Sequence, residues 1–151
     1  MKKEKVTFTN MCMVYDGSGN VLVQDRLDKN WAGLTFPGGH VEYGESFVDS
    51  VIREVNEETG LTIKTHKICG TKDWQSKDGS RYVVLFYKTD EYSGELRSSE
   101  EGEMKWMSLE EMRQGKMAVD MEDMLKVFSD ENINEFHYYK DNNGDWKYIL
   151  Q

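Results

Sequence analysis

Runs of apolar and β-branched residues, separated by short polar stretches, predict a series of strands along the chain. Residues 5–15 and 21–26 flank DGSGN, which has turn composition, so we expect these two strands to form a hairpin. The C-terminal residues show the same pattern, because DNNGD lies between EFHYYK and WKYIL. The other segments with strand character are residues 34–36, 61–74, 80–90 and 105–109.

Apolar residues at spacings of three and four predict a helix over residues 46–59. The apolar stripe of this helix consists of Val48, Val51, Ile52 and Val55. Gly60 follows directly, at the position where a glycine commonly ends a helix.

A second helical region is expected to begin at Ser108, because Ser108 and Glu111 have the spacing of a capping box. It continues, with a break near Gly115, through residues 120–129. Strands followed by a helix, more strands and further helices favour an α/β fold in which helices pack on a mixed sheet. The length of 151 residues suits one domain, which we take to be residues 1–151.

The chain is acidic, with 19 Lys and Arg against 28 Asp and Glu and a formal charge of −9. This excess argues against binding to nucleic acid or to an anionic membrane, since both favour Lys and Arg. It permits a small phosphorylated ligand, because a divalent cation can bridge carboxylates and phosphates. No apolar run approaches the roughly 20 residues of a membrane span, and no secretory signal is evident, so we expect a cytoplasmic protein.

The first predicted helix carries Glu54, Glu57 and Glu58 within five residues, although like charges at these spacings repel one another. All three should project from one face, beside the apolar stripe and not into the core. A proline–glycine turn at residues 37–39 precedes the helix and allows close approach of a ligand to the backbone. Such oxygen ligands match the requirements of Mg²⁺ or Mn²⁺. The alternative interpretation is a solvated acidic helix face.

A longer pattern around these glutamates favours the metal site. A glycine, five residues, a glutamate and seven residues precede the sequence Arg-Glu-apolar-x-Glu-Glu-x-Gly-apolar. This segment resembles the Nudix box, the signature of the Nudix hydrolases, without departure. Seven fixed residues at a frequency near ~7% each would coincide by chance roughly once in 10⁸ starting positions. The matching residues are Gly39, Glu45, Arg53, Glu54, Val55, Glu57, Glu58, Gly60 and Leu61.

The resemblance implies an α/β/α sandwich in which the box helix binds divalent cations, Mg²⁺ or Mn²⁺. The metal ligands implied are the carbonyl of Gly38 and the carboxylates of Glu54, Glu57 and Glu58. Gly39 and Glu45 would position these ligands, as residues behind a metal site do. Glu45 resembles the family residue that pairs with Arg53 and ties the loop to the helix.

Family members also supply a carboxylate from a loop before a late strand. Glu100, Glu101 and Glu103 occupy the matching segment here, and we favour Glu101, then Glu100, as the further metal ligand. A solvated loop glutamate is the alternative for each. Arg26 resembles a basic family residue that contacts phosphates, although it could equally be a solvated arginine at a strand end. The catalytic residues implied are Arg53, Glu54, Glu57 and Glu101.

The reaction implied by the resemblance is hydrolysis of a nucleoside diphosphate linked to another moiety. The short segment 27–33 and the compact chain resemble MutT-type members, which act on oxidised nucleoside triphosphates. The expected substrate is therefore 8-oxo-dGTP or a related nucleotide, cleaved to the monophosphate and pyrophosphate. ADP-ribose and nucleotide sugars are alternative substrates. A non-catalytic domain that senses nucleotides is an alternative function.

Aromatic residues are candidates for stacking on a nucleobase, with a place in the core as the alternative for each. These candidates are Trp31, Phe36, Trp74, Tyr82 and Phe86. The C-terminal hairpin matches no substrate-specific motif. It could complete the sheet, close the pocket or form the contact of a homodimer.

Overall fold

A computed structural model describes residues 1–151 of the protein. The strands are β1 (Val6–Val14), β2 (Asn20–Arg26), β3 (Gly33–Thr35), β4 (Thr62–Ile63), β5 (Lys67–Gln75), β6 (Arg81–Thr89), β7 (Tyr92–Ser93), β8 (Gly102–Ser108), β9 (Glu135–Lys140) and β10 (Trp146–Leu150). The helices are α1 (Phe47–Thr59), α2 (Leu109–Gln114) and α3 (Met121–Ser129). None of the helices has both the length and the apolar composition needed to cross a membrane.

The strands form one large mixed sheet and one smaller antiparallel sheet. The large sheet has the order β1-β6-β5-β9-β10, in which β1–β6 and β5–β9 are parallel pairs and the other neighbours are antiparallel. The small sheet has the order β3-β2-β8, and β4 pairs with β7 separately. The predicted α/β class with a mixed sheet is therefore confirmed.

Helices cover both faces of the large sheet and divide the core in two. On one face, α1 packs Val51 and Val55 against Cys12 and Leu85. On the other face, α2, α3 and the small sheet enclose a second cluster that is built around Phe86, Phe128 and Phe136 and several methionines. The space between the two sheets opens at one end, where the candidate site lies.

The expected N-terminal hairpin is wrong. β1 and β2 share only the bridge between Tyr15 and Val21 and then diverge into different sheets. The physical reason is competition for partners, since β1 pairs along its whole length with β6, while β2 pairs with β3 on one edge and with β8 on the other. The terminal hairpin of β9 and β10 is confirmed by its antiparallel register.

The strand expected at residues 61–74 is interrupted. Its first part is β4, which pairs with β7, a two-residue strand that the sequence pattern did not indicate. Its second part is β5, which leaves the first ladder and joins β6 in the large sheet. Because of the break at residues 64–66, the segment predicted as one strand forms two strands that belong to different sheets.

Candidate active site

Helix α1 positions the acidic residues, and both of its ends are fixed by caps. The Ser46 hydroxyl accepts a hydrogen bond from the Asp49 N–H at 3.0 Å, which satisfies one free donor of the first turn. Gly60 ends the helix with a φ of 78°, a conformation that glycine adopts without strain. Because both ends of the helix are held and Val51 and Val55 are buried, the packing of the helix sets the directions of Glu54 and Glu58.

The glycine turn at residues 37–39 lies along β1. The Asn10 N–H donates to the Gly39 carbonyl at 2.8 Å, and a side chain at Gly38 would overlap the Asn10 carbonyl. The Gly38 N–H donates to Glu58 Oε2 at 3.0 Å, whereas the Gly38 carbonyl accepts no hydrogen bond. This close approach leaves one backbone oxygen free beside the acidic helix.

The three helix glutamates lie in different environments. Glu58 is only 3% exposed, Glu54 lines the cavity, and the side chain of Glu57 is 59% exposed. The expectation that none of them points into the core is therefore wrong for Glu58. Glu58 follows Val51 by seven residues and Val55 by three, so it continues the apolar stripe of the helix.

Burial and neighbouring carboxylates change the acidity of two of these residues. Burial raises the pKa of Glu58 well above its usual range, and the Glu101 carboxyl beside it raises it further. Burial also raises the pKa of Glu54, although the neighbouring Arg53 guanidinium opposes this shift. The fold therefore brings together carboxyl groups that are costly to ionise without a cation.

Arg53 links the loop to the helix. Its guanidinium donates to both carboxylate oxygens of Glu45, at 2.8 and 2.9 Å, and to the carbonyl of His40 at 2.9 Å. It also donates to Glu54 at 2.9 Å and to Glu57 at 3.3 Å. Hydrogen bonds from Arg53 lower the pKa of Glu45 to about 2. The structure thus brings the predicted pair together, and Arg53 also holds the carboxylate of Glu54.

The loop before β8 brings Glu101 to the same place. Glu101 lines the cavity, whereas Glu100 and Glu103 do not. Its carboxylate lies 3.8 Å from the Arg26 guanidinium, which also contacts Asp28 at 3.3 Å. Nε of Arg26 is buried and has no hydrogen-bond partner. Arg26 also lines the cavity, where the resemblance implies a phosphate contact.

The donor set fits Mg²⁺ or Mn²⁺. Glu58 Oε1 is buried and has no hydrogen-bond partner, and such an unsatisfied buried acceptor is costly unless a ligand completes it. The free Gly38 carbonyl lies beside the same residue. Hard divalent cations take this combination of carboxylate and carbonyl oxygens. A side chain at Gly39 would overlap the Glu54 carboxylate, so the site also needs this glycine.

A cavity of about 880 Å³ extends from these residues between the two sheets. Of the aromatic residues expected to contact a base, Trp31, Phe36, Trp74 and Tyr82 line it. Phe86 does not, because it is fully buried against Phe128 in the core. Trp74 and Tyr82 stack on each other, with ring centroids 4.6 Å apart.

The structure adds residues that sequence reasoning missed. Asn10 and Ser50 are buried polar residues, and the Asn10 amide donates to the Ser50 hydroxyl at 2.9 Å between β1 and α1. Lys72, Asp120 and Tyr138 also line the cavity. Each belongs to a segment without a recognised motif. The one available signal was Asn10, a polar residue directly before the apolar run Met11–Val14 of β1, whereas Lys72 lies among other polar residues of β5.

Asp73, Glu135 and His137 form a second acidic cluster. It lies outside the cavity, on β5 and β9. The Asp73 carboxylate already accepts hydrogen bonds from Arg81 and His137, so its charge is compensated within the protein. This cluster is therefore a weaker candidate for a cation than the glutamates of α1.

Comparison with known proteins gives a family match and several relatives. The model of the NUDIX domain matches residues 7–128. An uncharacterized Nudix hydrolase of Bacillus subtilis is 38% identical over 65% of this chain and 64% of its own length. An ADP-ribose pyrophosphatase of Methanocaldococcus jannaschii is 28% identical over 76% of this chain and 69% of its own. An 8-oxo-dGTP diphosphatase of Escherichia coli is 34% identical over 50% of this chain and 58% of its own length.

A solved structure shares most of this fold. The MutT protein from Bacillus halodurans superposes with a TM-score of 0.78 at 27% identity, covering 96% of this chain and 97% of its own. The similarity therefore extends over both sheets and all three helices.

Proposed function

We propose, on the premise that this chain belongs to the Nudix family of pyrophosphohydrolases, that it hydrolyses an oxidised nucleoside triphosphate with the aid of a divalent cation. The favoured substrate is 8-oxo-dGTP or a related nucleotide, cleaved to the monophosphate and pyrophosphate. The observation that carries the proposal is Glu58, whose buried Oε1 has no partner within the protein. Such a carboxylate is explained by a cation that binds together with a phosphorylated substrate.

Four groups would hold the cation. They are the carboxylates of Glu54, Glu58 and Glu101 and the carbonyl of Gly38, and Glu57 is an additional ligand from the more exposed side of the helix. Mg²⁺ or Mn²⁺ bound there would neutralise charge on the phosphate oxygens and lower the pKa of the attacking water.

The side chains supply the remaining functions. Arg26, which lines the cavity, binds phosphate oxygens. Either Glu54 or Glu101 accepts a proton from the attacking water, since both carboxylates line the cavity. Arg53 and Glu45 keep the loop and the helix in register, so that the carboxylates stay in place before substrate arrives.

The cavity supports a nucleotide as the substrate. It has space for a drug-sized ligand, and both carboxylates and aromatic rings line it. The resemblance to MutT-type proteins and the relative named 8-oxo-dGTP diphosphatase favour an oxidised triphosphate. The relative named ADP-ribose pyrophosphatase supports ADP-ribose as the second candidate, with nucleotide sugars after it. Substrates of this kind are consistent with the cytoplasmic location expected from the sequence.

A substrate panel tests the proposal. Purified protein is incubated with Mg²⁺ or Mn²⁺ and with 8-oxo-dGTP, the unmodified triphosphates, ADP-ribose, dinucleoside polyphosphates and nucleotide sugars, and the released products are identified. We expect the monophosphate and pyrophosphate from 8-oxo-dGTP at the highest turnover. If ADP-ribose were cleaved fastest, the proposed substrate would be wrong, but the proposed hydrolysis of a pyrophosphate bond would stand. Tight binding of intact nucleotides without products would favour the nucleotide sensor.

A further inference from the structure

The large sheet has two edge strands, β1 and β10, and the chain covers only the first. Along β1, the Asn10 N–H donates to the Gly39 carbonyl at 2.8 Å, and the Val41 N–H donates to the Phe8 carbonyl at 2.9 Å. In contrast, β10 pairs with β9 alone, and its residues 146–149 are all exposed. The outer side of β10 is therefore an open edge, and such an edge readily pairs with the strand of another chain.

Hydrogen bonds at the two ends of the hairpin determine which groups of β10 face outwards. The Gln151 N–H donates to the Glu135 carbonyl at 3.0 Å, and the Glu135 N–H donates to the Gln151 carbonyl at 2.8 Å. At the other end, the Asp141 N–H donates to the Asp145 carbonyl at 2.9 Å. Hydrogen-bonded pairs alternate along an antiparallel ladder, so the odd-numbered residues of β10 bond to β9. The backbone groups of its even-numbered residues therefore point away from the hairpin.

Three residues of β10 direct both backbone groups to this open edge. They are Trp146, Tyr148 and Leu150. Their spacing of two residues is the spacing at which an antiparallel partner strand forms hydrogen-bonded pairs. Trp146 is 48% exposed and Tyr148 is 47% exposed, so aromatic area is available beside the free backbone groups. The edge thus offers donors, acceptors and apolar surface to another strand.

A second copy of β10 fits this edge best in one antiparallel register. With Tyr148 on the two-fold axis, Trp146 pairs with Leu150 of the second copy, and all three outward residues gain hydrogen bonds. This register also sets Lys147 opposite Ile149. A shift of the axis to Lys147 or to Ile149 leaves one outward residue without a pair. The first of these shifts also sets the two Lys147 side chains opposite each other, and directly opposed like charges are destabilising.

From these observations we infer that the open edge of β10 is a dimerisation surface whose partner is a second copy of this chain. The two five-stranded sheets join into one continuous sheet through about six hydrogen bonds. Because Trp146 also lines the cavity, the second copy lies beside the cavity wall. The contact is short and belongs with the weak interfaces that bury less than about 1,200 Å² in total. It lies outside the residues that match the family domain and does not depend on the proposed hydrolysis.

Sedimentation equilibrium of the full chain, between about 1 and 500 µM, tests the dimer. We expect a reversible dimer with a dissociation constant of about 1–100 µM. Tyr148→Pro removes an outward N–H and leaves the hydrogen bonds to β9 intact. Tyr148→Ala is the matched control, because it loses the ring but keeps the N–H. The dimer of the proline variant should be about 5- to 150-fold weaker than that of the alanine variant, since two symmetric hydrogen bonds are lost.

A pair of substitutions at Ile149 tests the register. Ile149→Glu sets a carboxylate opposite Lys147 of the second copy, whereas Ile149→Lys sets two positive charges opposite each other. The same pair of contacts forms twice across the two-fold axis. The dimer of the lysine variant should therefore be at least about threefold weaker than that of the glutamate variant at low salt.

Amide hydrogen exchange in the wild-type protein, followed by NMR, requires no variant. The amides of Lys147 and Ile149 bond to β9 and should exchange slowly at every concentration. The outward amides of Trp146, Tyr148 and Leu150 should exchange quickly in dilute solution and slowly where the dimer forms. An alternating pattern of this kind identifies the edge that pairs.

The results decide the inference even if Tyr148→Pro does not fold. A wild-type chain that stays monomeric up to 500 µM, about five times the largest expected dissociation constant, would overturn it. A dimer in which the outward amides of β10 exchange as fast as in dilute solution would also overturn it, because its contact would lie elsewhere. Slow exchange of these amides in the dimer would support it, whether or not the protein hydrolyses a nucleotide.

Discussion

Glu58 is only 3% exposed, and a glutamate is rarely buried to this extent in a protein. Its burial has a cost in the stability of the fold. One of its oxygens accepts the Gly38 N–H, and the other has no partner. Removing a charge from water without full compensation is destabilising, so Glu58 weakens the metal-free protein. We propose that the same burial favours binding of a cation, because a cation there would meet little competition from water.

The first prediction concerns turnover. Glu54→Gln and Glu58→Gln should each lower kcat by at least ~10²-fold at saturating Mg²⁺, since each change removes a ligand or the general base. Steady-state kinetics with the preferred nucleotide measure this effect. Glu103→Gln, an exposed change on β8 outside the cavity, is the matched control and should leave kcat near the wild-type value. Near-normal turnover in both site variants would refute the assignment.

The second prediction concerns pH and the metal-free protein. Burial raises the folded-state pKa of Glu58 above its ordinary value of 4.5, so folding favours the protonated carboxyl. Its stabilising contribution is complete below that value and is lost as the pH rises through the folded-state pKa. Since that pKa is raised to about 9, the free energy of unfolding in the presence of a chelator should decrease from about pH 5 to about pH 9, and Glu58→Gln should flatten this decrease. Urea unfolding measures both, and parallel pH profiles for the two proteins would argue against the buried carboxyl.

At the scale of elements, the site depends on the contact between α1 and the glycine turn at residues 37–39. The turn is fixed to β1 by backbone hydrogen bonds, and Arg53 joins it to the helix through Glu45 and the carbonyl of His40. A glycine at position 39 allows this contact, because any Cβ there would overlap the Glu54 carboxylate. The distance between the turn and the helix is therefore determined jointly by the hydrogen bonds of Arg53 and by the absence of a side chain at Gly39.

The third prediction tests this contact. Gly39→Ala should displace the Glu54 carboxylate, lower kcat at least tenfold and weaken Mg²⁺ binding, because a misplaced ligand or base loses catalytic geometry. Gly17→Ala is the control, since a Cβ at Gly17 meets no atom within 4 Å. Kinetics over a range of Mg²⁺ concentrations separate loss of the metal from loss of turnover. Equal activity in the two variants would show that the contact can relax without cost.

The elements also show what could be predicted from the sequence. The helix α1, its end at Gly60 and the spacing of its glutamates follow from local pattern, as does the antiparallel pairing of β9 and β10. The separation of β1 from β2 does not, because it is decided by β6 and β8, which lie far away in sequence. The spacing of Glu58 from Val51 and Val55 indicates a buried position, but a charged residue at that spacing is ordinarily expected to face solvent.

At the scale of the whole molecule, the site joins parts of the chain that are distant in sequence. The turn before α1, the helix itself and the loop that carries Glu101 meet only in the folded protein. Their carboxylates repel one another, and the chain as a whole has a formal charge of −9. A divalent cation that binds only the folded state therefore stabilises the whole molecule.

The fourth prediction follows from this linkage. Mg²⁺ at about 100 times its dissociation constant should stabilise the protein by about 2.7 kcal/mol and raise Tm by about 5–10 °C. Differential scanning fluorimetry measures the shift. His137→Gln, which alters the second acidic cluster, should keep it, whereas Glu58→Gln should lose most of it. The opposite pattern would place the cation at the cluster on β5 and β9.

The central claim is that the glutamates of α1 hold a divalent cation against the phosphates of a nucleotide. Its most direct test is anomalous scattering from crystals grown with Mn²⁺ and a non-hydrolysable nucleoside triphosphate. The account predicts a manganese peak bounded by Glu54, Glu58 and the Gly38 carbonyl, in contact with phosphate oxygens. A peak only at Asp73, Glu135 and His137, or phosphates bound with no manganese near α1, would contradict it.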